Sequence, residues 1–427
     1  MLFYVCNALD SFLLLHIVLT HSNMKLKKDR IEVEFITLIM GSGKTSVTIK
    51  EFNRLPDEKF LYVTPFIKET ERITNECINF VYPTDAAGTK SMSFDKLVSS
   101  GKRIATTHEL FLGLNKEDYS MFADYTLILD EVIAGVEDLK ITKKDVGYLL
   151  DNPSLVKFND DNSVKWVDAD YDGRFNDLKE SVEKGGVVLV NNSAVAKEFP
   201  IEIFESFKKA SVMTYHAEAS LLYHYFLGKG IIPRIVYRDS KVEAQRITEF
   251  KKLITVYQGK HIYKRIKPTL SVSWYEKATT GQLNNIENKV RGFFNSIDVP
   301  KELTLFSTFA DYEEKINVQR HLPEHIAHNT RATNEYREYI ALSYTVNRRI
   351  NPVIDRYFKQ NGVVIFNEDA WSLSELIQVI WRLRIREDKP IYVQILSKRM
   401  RDLFMDWLDN KRPTTKQFCE DVAQEFL

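Results

Sequence analysis

The sequence has few cysteines and no net charge. Three cysteines occur in 427 residues, Cys6, Cys77 and Cys419. They are too few and too scattered for a disulfide framework or a zinc site, so a reducing cytoplasm is the expected location. The charges of the 59 basic and 59 acidic residues cancel. The protein therefore has no net electrostatic attraction to nucleic acid or to an anionic membrane. Any site for a polyanion must therefore be a local patch.

A long apolar run lies near the start of the chain, from Leu2 to Thr20. Asp10 and His16 interrupt this run and no basic segment precedes it, so we expect neither a signal peptide nor binding to a membrane. We hypothesise that residues 1–23 reflect start-codon choice and that Met24 is the natural start. A true anchor or an added helix is the alternative.

The rest of the composition is typical of a globular protein, with 44% apolar and 28% charged residues, and the length suffices for two or three domains. In the first half of the chain, strand-like runs alternate with helix-like segments, which predicts an α/β fold with a doubly wound parallel sheet. Successive strand-like runs end at Thr64, Thr107 and Asp130. Because ligands collect at the carboxyl ends of the strands in such sheets, we expect a site there.

A glycine-rich loop follows the first strand-like run. Residues 35–45, FITLIMGSGKT, combine a buried strand with a loop, and the next eight residues can continue as a helix. The glycines let backbone N–H groups surround a β-phosphate, Lys44 reaches the β- and γ-phosphates, and Thr45 offers a hydroxyl to Mg²⁺. Leu38 stands where the full pattern has its first glycine. The predicted nucleotide-binding residues of this loop are Gly41, Ser42, Gly43, Lys44 and Thr45.

Two adjacent carboxylates end a later strand-like run, Tyr125-Thr-Leu-Ile-Leu-Asp130, which Glu131 follows. A carboxylate at the end of a buried strand beside a phosphate-binding loop can hold Mg²⁺, and its neighbour can polarise the water that attacks the γ-phosphate. We therefore assign Asp130 to the metal and Glu131 to the catalytic base, with a solvated strand end as the alternative.

The order of these segments resembles that of the superfamily 2 DEAD/DEAH-box helicases over nearly all of the chain after residue 30. The arrangement looks closest to the helicase-like proteins of phages and mobile elements, which carry an ATN segment and an SELIQ-x-IWR segment. In the first half, the resemblance is carried by Met40–Thr45 (motif I), Val63–Pro65 (Ia), Thr106–His108 (Ib), Asp130–Ile133 (II) and Ser211–Thr214 (III). In the second half, it is carried by Leu303–Ser307 (IV), Arg331–Asn334 with Tyr344–Pro352 (V), and Ala370–Arg386 (VI).

This resemblance implies two RecA-like domains with the nucleotide cleft between them. It also implies hydrolysis of ATP with Mg²⁺ to translocate along or unwind nucleic acid, DNA more than RNA, in phage or mobile-element replication, where replication proteins are further candidate partners. In that family, motifs Ia and Ib touch the nucleic-acid backbone, so Thr64, Thr107 and His108 inherit this role by resemblance. A helix-capping role is the alternative for the two threonines. A nucleotide-dependent switch that grips nucleic acid without unwinding it is the rival function.

We place domain boundaries where the strand pattern restarts. Residues 1–30 are expected to be an extension, residues 31–226 the first domain with an inserted lobe near 138–186, and residues 227–427 the second domain. In the second domain, lysines and arginines between 251 and 267 are interleaved with tyrosines, and Trp274 follows them. This composition suits phosphate contact and base stacking, or simply a solvated face.

The motif VI segment contains several arginines. The apolar spacing from Glu375 to Arg386 predicts a helix. On that helix Gln378, Arg382 and Arg386 stand in one row, at i, i+4 and i+8. By the resemblance, we expect Gln378 to contact the nucleotide and Arg382 and Arg386 to face the γ-phosphate, while Arg384 has a structural role.

Overall fold

The computed structural model describes residues 31–85, 88–114, 116–237, 240–316, 323–330, 335–363 and 366–411. Both the N-terminal extension and the ATN segment at 331–334 lie outside the described residues. The chain forms two compact units. The first contains the described residues up to Tyr237 together with 350–363 and 366, and the second contains the described parts of 238–349 and 367–422.

The elements are numbered along the described chain. Its strands are β1 (Glu32–Thr37), β2 (Lys59–Thr64), β3 (Phe80–Val81), β4 (Arg103–Thr107), β5 (Tyr125–Asp130), β6 (Val136–Asp138), β7 (Val156–Phe158), β8 (Val164–Trp166), β9 (Val187–Val190), β10 (Ala194–Glu198), β11 (Lys209–Thr214), β12 (Arg234–Tyr237), β13 (Ile254–Val256), β14 (Thr304–Ser307), β15 (Glu324–His325), β16 (Ala341–Tyr344) and β17 (Ile391–Ile395).

The helices alternate with these strands. They are α1 (Lys44–Arg54), α2 (Ile67–Glu76), α3 (Lys90–Ser99), α4 (His108–Leu112), α5 (Lys143–Leu150), α6 (Asn176–Glu183), α7 (Ile201–Glu205), α8 (Leu221–Gly228), α9 (Ser240–Leu253), α10 (Val272–Tyr275), α11 (Thr280–Phe294), α12 (Glu313–Ile316), α13 (Pro352–Gln360), α14 (Glu368–Ile380) and α15 (Lys398–Leu408). Short 3₁₀ helices cover Lys116–Phe122, Ala217–Ala219, Lys301–Leu303, Ala310–Tyr312 and Arg384–Glu387.

A seven-stranded parallel sheet forms the centre of the first unit, in the order β12-β1-β11-β5-β2-β4-β3. Its central strands are nearly all apolar because helices cover both faces of a parallel sheet. Leu127 and Leu129 of β5 are fully buried in one core cluster, whereas Ile128, on the opposite face, packs with Phe52 of α1. The predicted α/β class with doubly wound parallel sheets is therefore found.

A separate lobe interrupts the first unit after β5. Strands β6, β10 and β9 form an antiparallel sheet, and β7 pairs with β8 as an antiparallel hairpin. The lobe has its own apolar core, which includes Val146, Leu149 and Trp166. Its sheet includes β9, so the lobe extends beyond the predicted end at residue 186.

Two segments that we assigned to the second domain belong to the first unit. Strand β12 pairs in parallel with β1, with Ile235 opposite Phe35, and Arg234 forms an ion pair with Glu34. The other segment contains α13, in which Tyr357 donates a hydrogen bond of 2.7 Å from its hydroxyl to Glu198 of the lobe sheet. Since both attachments join residues far apart in the sequence, a local pattern did not reveal them.

The second unit is built on a five-stranded parallel sheet, in the order β13-β17-β16-β14-β15. Strands β16 and β17 are buried through most of their length, and helices α14 and α15 contribute the buried side chains Leu376, Ile380 and Phe404. Among the helices of the described residues, none is long and apolar enough to cross a membrane.

Candidate functional site

The carboxyl edge of the first sheet brings together the residues predicted to bind a nucleotide. Just after β1, the Leu38 backbone N–H donates to the Thr214 carbonyl at 3.0 Å, and just after β5, the Glu131 N–H donates to the Met213 carbonyl at 3.1 Å. Strand β11 thus joins the glycine-rich loop on one side to the Asp130–Glu131 turn on the other. Segments separated by some 90 residues in the sequence become neighbours at one sheet edge.

The glycine-rich loop has a backbone shape that requires its glycines. Gly41 and Gly43 have φ angles of 72° and 74°, in the left-handed region that side chains other than glycine rarely adopt. Ser42 donates a hydrogen bond of 2.6 Å from its hydroxyl to the Ile39 carbonyl, which closes the turn. Helix α1 then begins at Lys44 without a side-chain cap. Its first N–H groups and its dipole are therefore available to an anion such as phosphate.

Asp130 ends β5 and is held by a tyrosine from the neighbouring strand. The Tyr62 hydroxyl donates to the Asp130 carboxylate at 2.6 Å. Burial raises the pKa of Asp130 to about 6, against the opposing effects of the Tyr62 hydrogen bond and the Lys44 charge. A carboxylate whose pKa is raised by desolvation is one whose charge the protein leaves partly uncompensated. A cation beside it would restore its ordinary ionisation.

Glu131 follows in an unusual backbone conformation, with a φ angle of 74°. Such a conformation is costly for a glutamate and clusters at functional sites. It turns the chain sharply at the end of β5, so that Asp130 and Glu131 do not continue the alternation of a strand. The side chain of Glu131 is half-buried.

These residues fit a magnesium ion held jointly with a nucleotide. Mg²⁺ is usually bound by one or two carboxylates together with substrate phosphates and water, not by a dedicated cage of side chains. Within the described residues, no group of three or more His, Cys, Asp or Glu side chains is arranged to hold a metal. Asp130 and the Thr45 hydroxyl are the residues of this edge that would supply protein ligands.

The three residues expected to touch nucleic acid lie at the ends of β2 and β4. Thr107 accepts a hydrogen bond from the Leu110 N–H at 3.4 Å and so caps α4, which is the alternative role considered for it. Thr64 is only 1% exposed and does not cap α2, whose N-cap residue is Phe66. His108 begins α4 and is half-buried. Nucleic-acid contact by Thr107 and His108 stays a prediction.

The predicted row of Gln378, Arg382 and Arg386 is wrong as helix geometry, because α14 ends at Ile380. After this point Leu383 and Ile385 are fully buried and the Arg384 N–H donates to the Tyr339 carbonyl at 3.2 Å. These tertiary contacts replace the continued helix. The chain instead turns and forms a 3₁₀ helix over Arg384–Glu387.

The arginines of this segment consequently have different surroundings. Arg382 is 6% exposed and donates from Nε to the Gln378 carbonyl at 3.2 Å. Arg384 donates from Nε to the Pro390 carbonyl at 2.6 Å, which is a structural contact. Arg386 is exposed.

Sequence reasoning missed a network of arginines at the carboxyl edge of the second sheet. Arg348 pairs with the buried Glu375 at 3.3 Å and contacts His328 at 2.9 Å. Arg399 is paired with Asp369 and donates to the Arg348 carbonyl at 2.9 Å. Burial, with the Arg348 charge, lowers the pKa of His328 to about 4. The sequence does show arginines shortly after the two apolar runs that form β16 and β17. It does not show their partners, because these are distant in the sequence.

Comparison with known proteins gives a relative that matches almost end to end. The SPbeta prophage-derived uncharacterized protein YonV of Bacillus subtilis (strain 168) is 33% identical over 413 residues, which cover 89% of this chain and 99% of the relative. Two family models also match: the YonV middle domain over residues 136–196, and the YonV C-terminal Rossmann-like domain over residues 248–408. The first of these ranges coincides with the lobe inserted after β5.

Solved structures with a similar fold are helicases. A structure named XPD helicase is similar over 94% of this chain and 97% of its own, with a TM-score of 0.52 and 12% identity. The Xpd4 structure from S. tokodaii matches over 93% of this chain and 96% of its own, with a TM-score of 0.45 and 11% identity. At such identity the likeness to XPD helicase concerns the fold, and it confirms the prediction of two RecA-like α/β domains. By its sequence, the chain belongs to the family of the prophage protein YonV.

Proposed function

We propose that the protein is an ATP-dependent helicase or translocase related to the DEAD/DEAH-box helicases of superfamily 2. The observation that carries this proposal is the carboxyl edge of the first sheet. There a glycine-rich loop with left-handed Gly41 and Gly43 leads into α1, two strands away from the half-buried Asp130. This is the arrangement that phosphoryl transfer from a nucleoside triphosphate requires.

Each residue of this edge has a defined part in hydrolysis. The backbone N–H groups at the start of α1 bind the phosphates, and the Lys44 ammonium offsets the charge of the β- and γ-phosphates. Thr45 and Asp130 would hold Mg²⁺, which, when bound, neutralises charge that develops on the phosphates. Glu131 accepts a proton from the water that attacks the γ-phosphate. Tyr62 positions Asp130 through its hydrogen bond of 2.6 Å.

Residues of the second unit complete the proposal. We assign Arg382 and Arg386 to the γ-phosphate and Gln378 to the nucleotide, and of the two arginines Arg386 is the exposed one. Thr107 and His108 are proposed to contact the nucleic-acid backbone, whereas Thr64, which is 1% exposed, is too buried for this contact. The prophage origin of the relative supports a role in the replication of a phage or mobile element, on DNA in the host cytoplasm.

The test is a comparison of ATP hydrolysis with strand displacement. Hydrolysis is measured at one fixed salt concentration with no nucleic acid, single-stranded DNA, duplex DNA or RNA, since charge-driven binding varies steeply with salt. Displacement is measured on duplexes with single-stranded tails. We expect single-stranded DNA to stimulate hydrolysis most and to support displacement or movement along the strand. Stimulated hydrolysis without either of these would favour the rival function of a nucleic-acid-binding switch, and the absence of hydrolysis would overturn both.

A further inference from the structure

A cavity of about 630 Å³ lies within the second unit, at a distance in the sequence from every residue assigned to ATP. It is bounded by the loop that follows β13, by α10 and by the first two turns of α11. The side chains of its wall that can recognise a ligand are Tyr263, Lys267, Trp274, Gln282 and Asn285. Its size is within the range of small-molecule and single-nucleotide sites.

One side of the cavity is held rigidly by buried polar side chains. Arg401, which is 5% exposed, donates to the Tyr263 carbonyl at 2.7 Å. Gln394, which is fully buried, donates to the His261 carbonyl at 2.6 Å. The side chains of Arg401 and Gln394 thus fix the backbone at His261 and at Tyr263. A site whose walls are fixed before binding loses less entropy when a ligand enters.

The opposite side is fixed to the carboxyl edge of β16. The Tyr275 hydroxyl donates to the Thr345 carbonyl at 3.0 Å, and the Asn347 N–H donates to the Leu270 carbonyl at 2.8 Å. The ring of Trp274 packs edge-on against Tyr275, with 5.1 Å between centroids. The half-buried Trp274 is therefore held in place at the wall of the cavity.

The polar groups of the wall match the edges of a nucleobase. Asn285 accepts a hydrogen bond of 2.7 Å from the Tyr263 hydroxyl, and Gln282 accepts one of 2.8 Å from the Thr279 N–H. Each contact uses the amide oxygen and leaves an amide nitrogen as a donor for base oxygens or ring nitrogens. Aromatic rings beside such amides are the usual means of holding an unpaired base.

The local charge favours a phosphate. Residues 260–289 contain six lysines and arginines and two glutamates, whereas the whole chain is neutral. Lys267 is exposed at the cavity, and the neighbouring Ile266 and Val272 are 68% and 51% exposed. Apolar side chains exposed beside cations suit the sugar and base faces of a single strand better than they suit water.

We propose that this cavity binds one unpaired nucleotide of single-stranded nucleic acid, with its base against Tyr263 and Trp274 and its phosphate at Lys267. The site is distinct from the ATP site and needs no hydrolysis. The proposal goes beyond the proposed function because it names a cavity of the second unit as a place where a base of any identity is contacted. The solvated-face interpretation of the basic run predicts no such contact.

The experiment measures binding of a fluorescent oligothymidylate to the full chain by anisotropy, without ATP and at several salt concentrations. We expect Trp274→Ala to raise the Kd about tenfold and Trp274→Phe, which keeps an aromatic ring, to change it little. Tyr263→Ala should act like Trp274→Ala, and Tyr263→Phe should bind nearly as the unmodified chain does. Tyr82→Ala, at a tyrosine of the first unit that is 36% exposed, is the matched control and should have no effect.

Charge and base contributions are separated by two further comparisons. Lys267→Ala should reduce the slope of log Kd against log salt by about one, whereas Lys301→Ala, at an exposed lysine of the second unit outside the basic run, should not. An oligonucleotide of the same length with abasic positions should lose affinity for the unmodified chain but not for Trp274→Ala.

Two outcomes would overturn the proposal. One is that variants whose thermal unfolding matches that of the unmodified chain bind the oligonucleotide as tightly as the unmodified chain does. The other is that the unmodified chain binds the abasic strand as tightly as the complete strand. Because no ATP is present, such a failure leaves the proposed hydrolysis at Lys44 untested and intact. Conversely, loss of hydrolysis in Lys44→Ala says nothing against the cavity.

Discussion

At the carboxyl edges of the two parallel sheets, neighbouring side chains offset the charge of a carboxylate to different extents. At the first edge, the half-buried Asp130 lies beside a loop shaped by two left-handed glycines, and desolvation raises the pKa of its carboxyl to about 6. At the second edge, the 5% exposed Glu375 is paired with Arg348 at 3.3 Å, and Arg399 is paired with Asp369. The carboxylate of the second edge is paired with an arginine, whereas at the first edge the Tyr62 hydrogen bond and the Lys44 charge only partly offset the desolvation of Asp130.

This difference supports the proposal that the first edge binds a charged ligand. Buried charges in proteins are normally paired, so a carboxylate left with a raised pKa is a candidate for function. The arginines of the second edge that bind backbone carbonyls and carboxylates are already engaged, and they have a structural part. Substitutions at the two edges should therefore have different consequences: loss of activity at the first, and loss of stability at Arg399.

The largest effect is expected for Lys44→Ala. This change removes the cation that neutralises the β- and γ-phosphates, so hydrolysis should fall below detection. The fold should survive because Lys44 is only half-buried and begins a helix. Phosphate release and thermal unfolding are the measurements, and Lys50→Ala, at an exposed lysine of the same helix, is the control. Turnover near that of the unmodified chain would remove the glycine-rich loop from the mechanism.

Next in size is the effect expected for Arg382→Ala and Arg386→Ala. Each should lower nucleic-acid-stimulated hydrolysis by about 10³-fold or more while ATP binding persists, since arginine fingers contribute about 10³ to 10⁵ in rate. Arg384→Ala should leave the rate nearly unchanged, because its guanidinium binds the Pro390 carbonyl. Arg386→Ala is the cleaner test, because Arg386 is exposed and Arg382 is buried. A crippling effect of Arg384→Ala alone would show that our assignment within this segment is incorrect.

A moderate loss of stability is expected for Arg399→Ala. The Arg399 side chain is 15% exposed and links Asp369 to the Asn347 side chain and the Arg348 carbonyl. Its removal leaves these acceptors unsatisfied and should lower the free energy of unfolding of the second unit by about 3 kcal/mol. Arg349→Ala, at an arginine that is 49% exposed and paired with Glu368, should cost no more than about 1 kcal/mol. Urea denaturation compares the two, and equal losses would contradict the structural role of Arg399.

The smallest effect concerns His328. Burial and Arg348 lower its pKa to about 4 in the folded chain, below the ordinary value near 6.5. The unfolded chain therefore binds more protons between these values, so the free energy of unfolding should fall by about 2 kcal/mol as the pH is lowered from 6.5 to 4. Denaturation of the unmodified chain and of His328→Gln at several pH values measures this contribution. A variant with the same pH dependence as the unmodified chain would show that another group is responsible.

The sequence was sufficient to predict the parts of the first edge that depend on neighbouring residues. The glycine-rich loop, α1 and the strand that ends at Asp130 follow from local apolar spacing and from backbone shapes that glycine permits. Strands and helices in alternation also predicted the doubly wound class. Tyr62 could have been noticed as a polar group within an apolar strand, but its partner at Asp130 is on another strand.

The missed features all depend on contacts between distant segments. The restart of the strand pattern predicts β12 in the second domain, yet β12 completes the first sheet by pairing with β1. The apolar spacing predicts a helix that continues to Arg386, yet the burial of Leu383 and Ile385 ends α14 at Ile380. Local periodicity describes one face of one element, and it does not specify which other element will cover that face.

The central claim is that the first edge binds ATP and that Glu131 is the base. The most direct measurement is the equilibrium binding of ATP with Mg²⁺ to Glu131→Gln, alongside its rate of hydrolysis in one turnover. Gln keeps the size of the side chain and its hydrogen bonding but cannot accept the proton. We expect one ATP bound per chain, as in the unmodified protein, with hydrolysis slowed about 10²- to 10⁴-fold. A loss of ATP binding equal to the loss of rate would contradict the claim and make Glu131 a structural or metal-binding residue.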